Sequence, residues 1–276
     1  MPVTRYVTLA YGSQPAVYRQ SVMMLVSLVA FAPEPYELVV ATDRPEMYVW
    51  FGTRVDIQYI DASLLAAWRG SEPFSMRQKL ILLKTAWPDS GAIALIDADV
   101  LARADLGSFA AALEGGALFM HKREYTLSQT RRPGHRKVWK ALQRTPLAGY
   151  TPSSQDAMWN SGVVAMPAAD RARLDDAIAL YDEMGKRGFR HFAAEQLAEG
   201  LVLGRTGRLH AAEPWFSHYW GNRAGYDPQI AARLADAFLE GLSVKEAAAA
   251  YRARPIDLPQ EARPTRAQKI RRWLSR

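Results

Sequence analysis

Asp97 and Asp99 stand two residues apart, directly after the apolar run Ala92–Ile96. In an extended chain, residues i and i+2 point to the same side, so both carboxylates project together. Two such charges about 6–7 Å apart repel by roughly 2–3 kcal/mol at an effective dielectric near 20. A hard divalent ion removes that repulsion and keeps coordination positions for phosphate oxygens. The chemistry that needs this is departure of a diphosphate, which a bridging metal converts into a stabilised anion. A solvated turn is the plain alternative for two nearby acids. Here the pair follows a run that reads as a central strand buried on both faces, where a turn has no need of a second acid.

Other phosphoryl chemistries fit less well. A haloacid-dehalogenase-type phosphatase would carry D-x-D-x-T after its first strand, whereas Val100-Leu101 follow this mid-chain pair. The G-x-x-x-x-G-K-[ST] loop of P-loop NTPases is absent.

Several elements must position the pair. Arg5–Tyr11 alternates and is rich in β-formers, so it reads as a first strand. An amphipathic helix follows over about 16–29. Strands are expected over 36–42 and 55–60, ending at Asp43 and Asp61, and a helix over 76–87 precedes the run at 92–96. This alternation argues an α/β fold with a mostly parallel sheet and a ligand at the strands' carboxyl ends. Beyond Asp99 a helix around 106–113 leads to a strand at 117–121. Residues 122–156 are basic and carry Pro133, Gly134, Pro146, Gly149 and Pro152, so they read as a long irregular stretch, a candidate acceptor lid. Asn160–Met166 returns to strand, and helices are expected from about 168 and 192. Asp227-Pro228 reads as a helix start, with Pro at the first helical position. Ser243-Val-Lys-Glu246 is a capping box for another.

With these residues in order, the chain resembles a GT-A nucleotide-diphospho-sugar transferase, most similar to glycosyltransferase family 8 and its relatives. The resemblance covers roughly residues 5–225 and rests on six pieces: Val7-Thr8-Leu9-Ala10-Tyr11, Arg77-Gln78-Lys79-Leu80, Ile93–Val100 around the acid pair, Trp159-Asn160-Ser161-Gly162-Val163-Val164, Ala194-Glu195-Gln196, and His218-Tyr-Trp-Gly221. It implies a Rossmann-like mixed sheet flanked by helices, with a C-terminal helical segment. It implies transfer of a sugar from a UDP-sugar to a saccharide or lipid-linked hydroxyl, with retention. The metal, Mn²⁺ or Mg²⁺, would be held by Asp97, Asp99 and His218. Thr8, Ala10, Tyr11 and Asp43 would hold the nucleoside, and Lys79, Ala98, Gly221 and Arg223 would line the diphosphate. The family continues with a phosphate-binding lysine where this chain has Asn222-Arg223-Ala224, which leaves Arg223 as the basic residue. Asn160, Glu195 and Gln196 would orient sugar and acceptor.

Each of these residues also has a plainer role. His218 beside aromatics suits a core, Glu195 suits the first turn of a helix, and Gly162 suits a bulge. Lys79 suits an exposed helix face. Tyr18 is a nucleoside-stacking candidate that falls inside a helix and is equally a core residue. His121 and His210 read as structural.

The chain has 276 residues, no cysteine and a net charge of +7. It therefore offers no disulfides or thiolate ligands, and an anionic partner suits its charge. No apolar run is long enough to span a bilayer, and no secretion signal is evident, which together favour a cytoplasmic location. We read 1–255 as one domain, with a nucleotide-sugar half over about 1–120 and an acceptor half over about 121–255. Residues 256–276 form a basic tail whose Ile270, Trp273 and Leu274 share one helical face, suited to peripheral contact with an anionic inner-membrane leaflet. No nucleic-acid-binding motif accompanies the charge. The alternatives are a nucleotidyltransferase of related architecture, though its Gly-rich basic loop is missing after Tyr11, and a non-catalytic sugar-binding protein.

Overall fold

Alternation along the strands sends neighbouring side chains into two different cores. In β1 (Thr4–Ala10), Tyr6 packs to one side of the sheet and Val7 to the other. In β2 (Tyr36–Thr42), Leu38 and Val40 join the first core while Val39 and Ala41 join the second. A strand buried on both faces needs a helical layer on each. The computed structural model describes residues 3–71, 74, 76–130, 133–189 and 191–258.

The main sheet has seven strands in the order β3-β2-β1-β4-β7-β6-β8. The others are β3 (Asp56–Tyr59), β4 (Ala92–Ile96), β6 (Leu118–Thr126), β7 (Ala157–Pro167) and β8 (Leu209–Ala211). The pairings of β1 with β2 and β4, of β2 with β3 and of β6 with β8 are parallel. Both neighbours of β7 run antiparallel to it. The expected α/β class and mixed, mostly parallel sheet are thus found. β4 is the middle strand, and all five of its residues are buried.

One helical layer contains α1 (Pro15–Phe31), α4 (Gly107–Glu114), α8 (Arg223–Leu239) and α9 (Val244–Ala253). The opposite layer contains α2 (Ala62–Arg69), α3 (Arg77–Thr85), α6 (Arg171–Lys186) and α7 (Ala194–Gly204). A separate two-stranded sheet pairs β5 (Val100–Ala102) antiparallel with β9 (Phe216–His218). Its register sets Val100 opposite His218, which carries the late histidine to the acid pair. The chain runs outward from β1 through β2 to β3, then returns to the far side of β1 as β4. That reversal creates a crevice at the carboxyl ends of β1 and β4, where α/β sheets bind ligands. Asp97 follows β4 at this point.

Two expectations are corrected. The stretch 122–156 is not irregular throughout: β6 continues to Thr126, a 3₁₀ turn spans Leu127–Gln129, and α5 covers Pro133–Leu142. Pro133 is tolerated because the first turn of a helix has no internal partner for an N–H. Buried Leu127, Leu142 and Leu147 tie the stretch to the second core. Next, α8 does not begin at Asp227. It starts after Asn222, whose side chain accepts a hydrogen bond from the Gly225 N–H, and continues through Pro228. Burial of Tyr226, stacked on Tyr219 with ring centroids 4.3 Å apart, favours that earlier start. The helix expected from about 168 is found there, opening with a 3₁₀ turn at Ala168–Asp170. The capping box at Ser243 and Glu246 is present at α9.

No helix among the described residues is long and apolar enough to cross a membrane. Of the basic tail, residues 259–276 lie outside the described residues. Ile256 is buried, and Leu258 N–H donates to the Tyr226 hydroxyl.

Candidate metal centre and its surroundings

The chain turns at the acid pair rather than remaining extended. The Val100 N–H donates to Asp97 O at 3.0 Å, closing a turn, and Asp97 N–H donates to Gly162 O at 2.9 Å on β7. Both carboxylates still converge, because β5 and β9 draw the chain back: Tyr219 N–H donates to Asp99 O at 3.1 Å. One ligand atom each from Asp97, Asp99 and His218 lies within 4.8 Å of the others. Two carboxylate oxygens and an imidazole nitrogen could together hold a divalent cation.

The orientation of His218 is set by its neighbours. Asn160 Oδ1 accepts from Gly162 N–H at 3.0 Å, which identifies that atom as the amide oxygen. His218 Nδ1 lies 2.8 Å from the same oxygen and must therefore be the donor. This leaves Nε2, 3.2 Å from Asp99 Oδ1, as the nitrogen that would face a metal. Gly162 makes the approach possible: a Cβ there would sit 2.3 Å from His218 Nδ1. So the Asn160 amide oxygen meets the histidine, and Gly162 reflects close packing against a side chain.

Behind Asp97 lies a buried polar chain. Lys79, on α3, has a side chain only 11% exposed, and its Nζ stands 2.8 Å from Asp97 Oδ1 and 3.3 Å from Glu195 Oε1. It also donates to the Ser161 carbonyl at 3.1 Å. Burial alone would push the Lys79 ammonium down in pKa, but the carboxylates of Asp97 and Glu195 outweigh burial and hold it above the ordinary lysine range. Lys79 is thus no exposed helix residue. Glu195 is 1% exposed, and its Oε2 accepts from Ser161 Oγ at 3.0 Å. Burial raises its pKa, while Lys79 pulls the other way. It sits beneath the crevice floor, and Gln196, next on the first turn of α7, is half-buried.

On the solvent side, Arg223 Nη2 donates to Asp99 Oδ2 at 2.6 Å. Burial would raise the Asp99 pKa, yet His218 and Arg223 hold it well below the usual carboxylate range. Arg223 thus sits on the Asp99 carboxylate, beside the place where a diphosphate would meet a metal. His121 packs edge-on to His218 at 5.3 Å between centroids and is pushed down to about 3, first by burial and then by His218. It stays neutral beside the centre, in keeping with a structural role, while His210 is exposed on β8.

The nucleoside candidates divide. Thr8 and Ala10 are fully buried in β1. The Tyr11 hydroxyl bonds Gln78, and Asp43 accepts from Gly12 N–H at 3.1 Å and from the Tyr18 hydroxyl at 2.6 Å. Tyr18 is buried, so it anchors the turn after β1 and offers no stacking face. Ala98 is half-buried on the turn between the two acids. Beside His218 opens a polar cavity of about 370 Å³, with Arg103, Lys122, Glu213, Trp220, Gly221 and Asp257 in its wall. Trp220 is 49% exposed.

Ser161 and Glu199 had no assigned role in the sequence. Ser161 lies inside the Asn160-Ser-Gly162 motif. Glu199 is four residues after Glu195 in a mostly apolar helix, so the spacing that puts both acids on one face was readable.

No protein-family model matches the chain, and no curated protein matches it in sequence. Solved structures do resemble it. Mouse xyloside xylosyltransferase 1, in its apo form, is similar at a TM-score of 0.49 and 12% identity, over 76% of this chain and 84% of that one. The bifunctional glycosyltransferase WbbM, also apo, is similar at a TM-score of 0.49 and 11% identity, over 76% of this chain and 38% of that one.

Proposed function

We propose that the protein is a metal-dependent GT-A glycosyltransferase that moves a sugar from a nucleotide-diphosphate donor, a UDP-sugar, to a hydroxyl of a saccharide or lipid-linked acceptor. The observation that carries this reading is the convergence of Asp97, Asp99 and His218 at the crevice beside β4, with His218 turned by Asn160 so that Nε2 faces the acids.

In this reading Asp97, Asp99 and His218 hold Mn²⁺ or Mg²⁺, which when bound neutralises the departing diphosphate. The bond from the anomeric carbon to the diphosphate oxygen breaks, the acceptor oxygen bonds that carbon, and the hydroxyl proton is released. The polar cavity beside His218 gives the acceptor a place, with Trp220 as an apolar platform. Glu195 and Gln196 lie under the sugar, and the configuration is retained. Residues 1–255 act as one catalytic domain, and the basic tail suits an acceptor at an anionic membrane.

The test is a thermal-unfolding panel of nucleoside diphosphates and UDP-sugars with and without Mn²⁺. At ligand concentrations near 100-fold above Kd the gain is about 2.7 kcal/mol, on the order of 5 °C for a chain of this size. We expect UDP to give such a shift with Mn²⁺ present, and Asp99→Asn to abolish it while keeping the fold. No shift with any nucleotide at millimolar concentration would sink the reading.

A further inference from the structure

Three carboxylates and one lysine share the space behind the metal centre, and the charges do not balance. Lys79 faces Asp97 and Glu195, and Glu199 lies behind Glu195 within side-chain hydrogen-bonding reach of it. Glu199 is 1% exposed, and neither of its oxygens has a donor; Glu195 Oε1 also lacks one, since Lys79 approaches it at ion-pair distance without hydrogen-bond geometry. Three buried orphan oxygens on two touching carboxyl groups need a proton between them.

We infer that Glu199 is kept as the neutral acid and donates its proton to Glu195 Oε1, making Glu199 a positioning residue for the chain Glu195–Lys79–Asp97. Ser161 then holds one Glu195 oxygen and Glu199 the other, so Lys79 faces a carboxylate that cannot rotate. The charged groups acting on Glu199 are Glu195 on its own helix, Lys79 on α3 and Asp97 after β4. β7 contributes the neutral Ser161, and α6 packs on α7 through apolar residues such as Leu180 and Met184. Burial, then the neighbouring Glu195, holds the Glu199 pKa well above the ordinary glutamate range.

The inference rests on the proposed function for its catalytic meaning, but the shared proton can be tested without it. A buried acid with a raised pKa contributes fully below the unfolded-state value and loses its contribution as pH rises towards the folded one. Thermal unfolding of wild type and Glu199→Gln, without nucleotide, would be followed from about pH 5 to about pH 9, above the ordinary Glu pKa near 4.3. Glutamine keeps a donor and cannot ionise. We expect wild type to lose stability relative to Glu199→Gln as pH rises; a gap that does not change with pH overturns the shared proton. For positioning, Glu199→Ala should lower kcat for hydrolysis of a UDP-sugar by about tenfold with KM little changed, and Glu199→Gln should restore it. A kcat for Glu199→Ala equal to wild type overturns the positioning role. The unfolding series needs no turnover, so it decides the proton even if wild type hydrolyses nothing, an outcome that would sink the proposed function alone.

Discussion

Asp97 and Asp99 are neighbours in sequence, yet each meets a different kind of cation. Asp97 faces Lys79, whose side chain is 11% exposed and is also engaged by Glu195 and Ser161. Asp99 faces Arg223, whose side chain is 55% exposed and reaches in from the first turn of α8. The Lys79 pair is part of the core, since leaving it would expose a buried Glu195 with no cation. The Arg223 pair joins a buried carboxylate to a half-exposed guanidinium that can swing out to solvent. The difference teaches which half of the site is scaffold and which half is free to respond.

Removing the buried cation should have the largest effect. Lys79→Met leaves Glu195 and Asp97 without their partner, and breaking a buried pair from one side costs about 3–5 kcal/mol. Urea unfolding would measure this, and a loss under about 1 kcal/mol would place Lys79 with the surface pairs. Next comes Gly162→Ala, whose new Cβ pushes on the His218 ring from the Asn160 side. We expect Mn²⁺ affinity to fall by roughly 10–100-fold, the usual weight of a residue that orients a ligand. Titration of Mn²⁺ followed by electron paramagnetic resonance reads this directly, and unchanged affinity would mean His218 is not a ligand. Smallest is Arg223→Ala, which leaves Asp99 paired with His218 and should cost less stability than Lys79→Met in the same urea unfolding. In the absence of nucleotide it should tighten Mn²⁺ binding several-fold, because Asp99 loses a competing cation. Weaker Mn²⁺ binding in this variant would erase the contrast between the two flanks.

The parts legible in the sequence are those set by local pattern. The apolar run at 92–96 could only be a doubly buried strand, and it is β4 with the predicted bounds. The strand 36–42 and the capping box at Ser243 were read correctly for the same reason: alternation and reciprocal capping act over a few residues. The stretch 122–156 misled because its prolines and glycines mark local turns, whereas buried Leu127, Leu142 and Leu147 hold it to a core supplied by other elements. Asp227-Pro228 misled because a good local start lost to Asn222 and the stacking of Tyr226 on Tyr219.

The same division runs through the site. Residue types and spacing alone identified Asp97 and Asp99 as candidates, because a divalent metal needs hard oxygen donors, whereas Lys79, Asn160, Glu195 and His218 became candidates through the resemblance to glycosyltransferase family 8. What each touches was decided in three dimensions. The β5–β9 pairing spans more than a hundred residues of chain and sets His218 opposite Val100. The fit of Gly162 under His218, the turn of Asn160 towards the imidazole and the burial of Lys79 against Glu195 follow from how β7, α3 and α7 pack around β4. A sequence names the groups that can do chemistry, since that depends on their atoms. Only the packed chain decides which of them are desolvated, and so which charges are fixed and which can be displaced.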